Sequence, residues 1–193
     1  CGLMDQMACS VGGMVNIDFK DPTKPIVKKV PTEFEKYDYS LCIVDTKGDH
    51  VDLTDDYAMI PSEMKKVANF LGEDYLRDCD SNEFYIRLDE IREAVGDRPV
   101  LRAIHFFNEE YNVKNAVSSL ENGKFVEFLD AIRKSGNSSF KYLQNVYTTR
   151  DIQHQNISVA LALSESLLRN YGVCRVHGGG FAGTIQAFVK NDF

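Results

Sequence analysis

The order of two hydrophobic patterns along the chain constrains its fold most strongly. Short apolar or alternating segments, typical of β-strands, occur near both ends, whereas most of the middle repeats apolar residues at i, i+3, i+4 and i+7, which is typical of amphipathic helices. The strand-like segments span residues 14–19, 39–45, 173–177 and 184–189. This arrangement predicts an α+β domain in which helices pack on one face of a small antiparallel sheet.

Capping residues and glycines predict where the helices begin and end. Ser62 can cap a helix that stops before Gly72, and Asn122 can cap another that ends at Gly136. An opening helix should end at Gly12. Apolar stripes predict further helices over residues 84–95, 99–120, 140–147 and 157–171. The β-branched run at residues 39–45 predicts a buried strand followed by a turn.

A proline-rich segment marks the best candidate for a domain boundary. Residues 21–31 (DPTKPIVKKVP) hold three of the five prolines, so we expect this segment to be extended or linker-like. We therefore predict that residues 1–30 belong to one domain and residues 31–193 to a second. Because the sequence begins with Cys1 rather than Met, we also expect the chain to be part of a longer protein.

Composition excludes several classes of protein. The formal net charge is −7 and no run of Lys or Arg occurs, which argues against a nucleic-acid partner. The longest uncharged stretch near the start, residues 6–17, is shorter than the roughly 20 apolar residues of a membrane span. Five cysteines without a C-x-x-C pair indicate a reducing, cytoplasmic location. Four scattered histidines give no metal-binding spacing, so no metal site is predicted.

A glycine-rich segment near the end is the most conspicuous candidate for binding. In HGGGFAGT, residues 177–184, four glycines flank Phe181 and Ala182 between two apolar strands. Residues 178–183 are called the glycine loop below. Such a loop can point several N–H groups at a phosphate, although a tight structural turn explains it about as well. The segment does not match a P-loop, because no Lys follows the glycines.

Asp5 is the second candidate, because it stands alone in an apolar helical stretch. Burying a carboxylate is costly unless it is hydrogen-bonded or paired, so a polar site would account for it. Gly2, one turn earlier, would leave a groove through which a small polar ligand could reach the carboxylate. The alternative is an aspartate that caps the helix or faces solvent. The acidic run at residues 52–57 is typical of a solvated turn.

Together these segments resemble the galactokinases of the GHMP small-molecule kinase family. The resemblance rests on CGLMDQMACSVGG near the start and VHGGGFAGTIQAFV near the end, and it covers nearly all 193 residues. In the middle, IVDTKGDHVDLTDDYAMIPSEM resembles the family's strand, acid-Tyr pair and Glu-containing helix. SGNSS, residues 135–139, resembles its Ser-His-x-Ser stretch, with Gly136 in place of the His.

The resemblance implies a fold, an activity and a set of site residues. The fold would be the ferredoxin-like GHMP C-terminal domain over residues 31–193, preceded by the tail of the N-terminal kinase domain over residues 1–30. The activity would be ATP-dependent phosphorylation of the C1 hydroxyl of galactose, with Mg²⁺ accompanying ATP. Asp5 matches the catalytic aspartate, and Gly2, Asp5 and Tyr57 match sugar-binding residues. The positions that match the nucleotide-side glycine motif are Gly178, Gly179, Gly180 and Gly183.

Departures from the family pattern leave alternatives open. The family's N-terminal sugar-gripping and ATP-cradling motifs are absent, so we expect this chain alone to be inactive and the Mg²⁺ ligands to lie outside it. Ala58, Met59 and Ile60 replace polar or basic residues, so another hexose or an amino sugar stays open. One alternative is a regulatory or sensor protein that binds galactose and ATP without turnover. Another is an interaction domain whose glycine loop is purely structural.

Overall fold

The chain opens with a helix and a β-hairpin. The computed structural model describes residues 3–48, 53–181 and 183–193. Helix α1 (Leu3–Val11) is followed by a Gly12-Gly13 turn and by strands β1 (Met14–Asp18) and β2 (Ile26–Val30). The two strands pair antiparallel with Met14 opposite Val30. Residues 21–24 form the turn of this hairpin, in which the N–H of Lys24 donates to the carbonyl of Asp21 over 3.0 Å. The prediction of an extended segment is therefore correct only for the second half of the proline-rich segment, which pairs with β1. The proposed domain boundary at residue 30 stays a prediction.

The main sheet has three antiparallel strands in the order β3-β5-β4. Strand β3 (Tyr39–Asp45) and strand β4 (Gly172–Val176) each pair with the central strand β5 (Thr184–Lys190). The prediction that residues 39–45 form a buried strand is correct about the strand and wrong about its burial. Strand β3 is an edge strand, and the side chain of Ile43 is 51% exposed.

Six further α-helices occur in the described part of the chain. They are α2 (Thr54–Phe70), α3 (Ser81–Ile86), α4 (Leu88–Val95), α5 (Asp97–Glu121), α6 (Phe125–Ser138) and α7 (Asn156–Leu168), in addition to α1. The predicted helix over residues 84–95 is two helices that meet at Arg87. The predicted helix over residues 140–147 is only a π-helical turn, Ser139–Leu143.

The predicted start of α2 and both predicted ends of α6 are wrong. Helix α2 begins at Thr54 and carries Pro61 in its interior, so Ser62 is not its cap. Two aspartates in the first turn, Asp55 and Asp56, favour this earlier start because they complement the helix dipole. Helix α6 is preceded by Lys124 rather than capped by Asn122, and it continues through Gly136. A Cβ at Gly136 would lie 2.9 Å from Cβ of Arg175, so glycine here permits close packing of helix on strand.

The α+β class with a small antiparallel sheet is confirmed, and the structure adds how the sheet is covered. Both faces of β5 are buried, rather than the single face expected, because successive side chains point to opposite sides of a strand. Phe188 packs with Val173 and the aromatic residues of α6, whereas Ile185 and Ala187 pack with Cys174 and α7. A further core lies among α2, α3, α4 and α5. The sheet is therefore held between α6 and α7, with its β4–β5 end leading into the glycine loop.

Candidate functional site

The glycine loop joins the last two strands of the sheet with an unusual backbone. Gly178, Gly180, Gly183 and Phe181 all have positive φ. At its base, the N–H of His177 donates to the carbonyl of Thr184 over 3.1 Å, which closes the hairpin. Because glycine reaches positive φ without a steric penalty, this composition allows a loop of this shape. Phe181 reaches it without that freedom, which indicates that tertiary contacts hold the loop.

Tyr57 holds the loop from one side. Its hydroxyl donates to the carbonyl of Gly180 over 2.6 Å, and its ring lies so close to Gly179 that a Cβ there would be 2.7 Å from the Tyr57 Cε1. The rings of Tyr57 and Phe181 meet edge to face with centroids 5.1 Å apart. Burial raises the pKa of Tyr57 above its ordinary value of 10.0, so its hydroxyl remains a donor near neutral pH. The residue predicted to contact sugar therefore touches the loop predicted to serve the nucleotide.

Asn145 holds the loop from the other side. Its backbone carbonyl accepts from the N–H of Phe181 over 2.5 Å, and its side-chain Nδ2 donates to the carbonyl of Gly179 over 3.1 Å. A Cβ at Gly180 would overlap the carbonyl of Asn145, so only glycine allows this approach. The loop is thus clamped between Tyr57 of α2 and the segment that follows the π-helical turn.

A buried cluster of charged groups stands behind this clamp. Glu63, on the same helix as Tyr57, accepts from Arg98 over 2.5 Å and from Arg102 over 2.8 Å. Arg102, only 2% exposed, also donates from Nε to the carbonyl of Leu143 over 3.2 Å. Burial lowers the pKa of the Arg102 guanidinium below its ordinary value. The cluster ties α2 and α5 to the chain just before Asn145.

A second polar contact joins α2 to the segment that follows the π-helical turn, and it lies nearer the glycine loop. Asp56, which is 3% exposed, accepts from the hydroxyl of Thr148 over 3.0 Å. The Nε of Arg150 lies 3.6 Å from the same carboxylate oxygen. Because Asp56 precedes Tyr57 in the first turn of α2, this contact fixes the start of the helix next to the loop. The acidic run predicted to be a solvated turn instead supplies a buried carboxylate and the start of α2.

The remaining predicted site residues lie elsewhere or outside the described residues. Asp5 is exposed on α1, a helix that packs against β1 and has no buried residue. Gly2 is outside the described part of the chain. Gly178 borders open space, and the carbonyl of Gly183 accepts from both the N–H and the hydroxyl of Thr46. The structure therefore brings together Tyr57 and the glycines and places Asp5 on a different element.

Residues 135–139 form part of a buried polar network away from the loop. The hydroxyl of Ser135 donates to Glu109 and accepts from Arg175, each over 2.5 Å, and the hydroxyl of Ser138 lies 2.9 Å from Nδ1 of His105. Burial lowers the pKa of His105 below its ordinary value of 6.5, and the nearby Arg175 acts in the same direction. This network ties α5 and α6 to β4.

The described residues form no metal-binding cluster, no disulfide and no membrane-spanning helix. Within residues 3–48, 53–181 and 183–193, no group of three or more His, Cys, Asp or Glu side chains could hold a metal ion. The described cysteines, Cys9, Cys42, Cys79 and Cys174, are all free thiols. No helix in the described part of the chain is long and apolar enough to cross a membrane.

Sequence reasoning missed the residues that hold the loop. Asn145 and Arg102 were not singled out, and Asp56 and Glu63 entered only as parts of the acid-Tyr pair and the Glu-containing helix, without a role in holding the loop. The sequence does carry one signal for Glu63 and Arg102. Arg102 lies on the helix predicted over residues 99–120 and Arg98 lies just before it, and Glu63 falls on a face of α2 that also carries apolar residues. Charged groups in such positions must be paired, so a buried ion pair was foreseeable. Nothing comparable distinguishes Asn145.

Comparisons with known proteins find sequence similarity to galactokinases. No protein-family model matches it. It is 26% identical over 192 residues to the galactokinase of Actinobacillus pleuropneumoniae and 26% identical over 195 residues to that of Haemophilus influenzae. Each match covers 100% of this chain and 47% of the relative.

A solved structure gives the corresponding result for the fold. The crystal structure of Lactococcus lactis galactokinase complexed with galactose matches with a TM-score of 0.71 at 20% identity, over 100% of this chain and 47% of that one. The chain thus spans about half the length of the relatives it matches. The expected resemblance is thereby confirmed: along its whole length this chain is similar to galactokinases, and it has the fold of the corresponding part of a galactokinase.

Proposed function

We propose that the full-length protein is an ATP-dependent sugar kinase that phosphorylates the C1 hydroxyl of galactose, and that this chain is its C-terminal part. The contact of Tyr57 with the glycine loop carries the proposal. It joins a residue assigned to the sugar and a loop assigned to the nucleotide, in a chain similar throughout to galactokinases. The galactose in the matched structure supports this choice of sugar.

The proposed reaction assigns a role to each predicted site residue. The C1 oxygen of galactose attacks the γ-phosphorus of ATP, the bond from that phosphorus to the bridging oxygen of ADP breaks, and the hydroxyl proton passes to the carboxylate of Asp5. Gly2 and Tyr57 border the sugar, and the glycines at positions 178, 179, 180 and 183 support the nucleotide phosphates. Positioning and electrostatics supply most of the acceleration in phosphoryl transfer, so a rigidly held loop suits this chemistry.

In this proposal, the rest of the active site belongs to other parts of the full-length protein. Helix α1 exposes apolar side chains beside Asp5, including Leu3 at 46% and Met4 at 51%, which supports a site shared with the rest of a longer protein. We therefore propose that the chain alone is inactive. Mg²⁺ would accompany ATP, but the described residues form no group suited to holding it, so no step is assigned to the ion. The free cysteines support the proposal that the enzyme works in the cytoplasm.

ATP turnover by the full-length protein tests the proposal. The assay compares galactose, glucose, N-acetylgalactosamine and no sugar, and NMR identifies the phosphorylated position. We expect galactose-dependent ADP release with phosphate on C1. Turnover on another sugar would keep the kinase and change the substrate. Sugar binding without turnover would instead make the protein a sensor and contradict the proposed activity.

A variant of Asp5 tests the catalytic assignment. Asp5→Asn should remove turnover while leaving ATP affinity unchanged, because it removes the proton acceptor and little volume. The matched control is Asp89→Asn on α4, where the carboxylate is 97% exposed and lies 3.8 Å from Arg92 of the same helix. This control should retain full activity. Retained activity in the Asp5 variant would exclude Asp5 as the catalytic residue.

A further inference from the structure

Asn145 is a buried residue whose side-chain oxygen is unpaired within the described part of the chain, and it contacts the glycine loop. Its side chain is 2% exposed, and its Oδ1 has no hydrogen-bond partner among the described residues. An unsatisfied buried oxygen lowers stability because it loses its hydrogen bonds to water, so native structures keep few of them. The other end of the same amide donates to Gly179 in the glycine loop. Stability alone therefore does not account for an asparagine here.

The contacts of Asn145 reach three consecutive residues of the loop. Its Nδ2 holds the carbonyl of Gly179, its main chain packs against Gly180, and its carbonyl receives the N–H of Phe181. The carbonyl of Gly180 in turn accepts from Tyr57. Asn145 thus fixes the direction of the peptide groups that Tyr57 touches, without belonging to the loop itself.

The position of Asn145 is itself held from the protein interior. It follows Leu143, whose carbonyl accepts from the buried Arg102, and Gln144, whose φ is +57°. Thr148, three residues later, is tied to Asp56. A segment that is held on both sides keeps its side chains in fixed positions, so Asn145 can hold the loop in one conformation.

We propose that Asn145 is a positioning residue that sets the conformation of the glycine loop for nucleotide binding and phosphoryl transfer. The catalytic part of this inference rests on the proposed function, whereas the structural part does not. The Nδ2–H donor toward Gly179 is the decisive group. Because this hydrogen bond orients the Gly179 peptide, its loss should lower kcat about tenfold and leave the KM for galactose within about twofold.

Asn145→Asp in the full-length protein isolates that donor. Aspartate has nearly the same shape, but its ionised carboxylate cannot donate to Gly179, whereas its protonated form can. Burial raises the pKa of a carboxyl group. The ratio of variant to wild-type kcat should therefore rise as the pH falls from about 8 to about 6. A pH-independent ratio with kcat near wild type would overturn the proposal.

Hydrogen exchange supplies a readout that needs no activity. Amides of residues 178–184 should exchange faster in Asn145→Asp and in Asn145→Ala than in the wild type. The alanine variant also removes the unsatisfied oxygen, so it should fold with little loss of stability. Unchanged exchange in both variants would overturn the proposal even in an active kinase. Faster exchange in a protein without turnover on any sugar would uphold the positioning and reject the proposed function.

Asn112→Ala is the matched control. Asn112 is also a buried asparagine, 7% exposed, but its Nδ2 donates to Glu109 in the polar network between α5 and α6. This variant should lose stability without faster exchange in the glycine loop and without a change in the pH dependence of kcat. Equal effects of Asn112→Ala and Asn145→Ala on loop exchange would show a general structural role and refute positioning by Asn145.

Discussion

Replacing Gly180 with alanine should destabilise the protein far more than the same change at Gly178. Both glycines have positive φ, +82° and +65°, so alanine meets a left-handed penalty of about 1–2 kcal/mol at either position. A Cβ at Gly178 enters open space, whereas a Cβ at Gly180 overlaps the carbonyl and the side chain of Asn145. Relieving that overlap displaces a packed segment, which costs about 1–3 kcal/mol more.

Urea denaturation of the full-length variants measures this difference. We expect Gly180→Ala to lower the free energy of unfolding by about 2–5 kcal/mol and Gly178→Ala by about 1–2 kcal/mol. The backbone penalty is common to both variants, so their difference reports the close approach of Asn145 alone. Equal losses at the two positions would refute the clamped geometry of the loop, and with it the reason for a glycine at position 180.

Two further predictions concern the buried charges. Glu63→Gln should lower the free energy of unfolding by about 3–5 kcal/mol in urea denaturation, because buried Arg102 loses its carboxylate; a loss below about 1 kcal/mol would contradict this pairing. Burial lowers the pKa of His105 below 6.5, so the unfolded chain takes up a proton first as the pH falls. Its stabilising contribution is therefore complete above about pH 6.5 and declines below it, toward the lower folded pKa. The urea midpoint should fall more steeply on acidification in the wild type than in His105→Gln, and parallel slopes would contradict the neutral buried imidazole.

Local sequence signals predicted most of the elements because those signals act over a few residues. The Gly12-Gly13 turn, the β4–β5 hairpin and the helix after Pro99 all follow from alternation, helical period and glycine positions. The start of α2 could not be found in this way. Pro61 and Ser62 look like a helix start, but the structure places them inside a helix whose beginning is fixed by Asp56 and its contact with Thr148.

Burial was harder to predict than secondary structure because it depends on which strands become neighbours. The apolar run at residues 39–45 is compatible with a central strand or an edge strand, and only the pairing of β5 with both β3 and β4 decides between them. The covering of both sheet faces could not be predicted for the same reason, because it depends on which helices become neighbours of the sheet. A period-two pattern shows which residues share a face, not which helices cover it.

The candidate site shows the same difference between residues in local motifs, which were predicted, and residues in long-range contacts, which were not. Tyr57 and the glycines were identified through their motifs, and the structure brings Tyr57 into contact with Gly179 and Gly180. Asn145 was not identified, because its role arises from a contact with Gly179 across 34 residues of sequence. No local pattern in FKYLQNVYT distinguishes this asparagine from one in an ordinary loop.

Pro61 divides α2 into two segments that are attached to different parts of the molecule. Since proline has no N–H, the carbonyl of Tyr57 lacks its usual partner one turn later, and the ladder of helical hydrogen bonds is interrupted there. Beyond the break, Glu63 is fastened to α5 by two arginines. Before it, Tyr57 is fastened to the glycine loop. Pro61 therefore marks the point on α2 where the part attached to the glycine loop ends and the part attached to α5 begins, with one backbone hydrogen bond fewer between them.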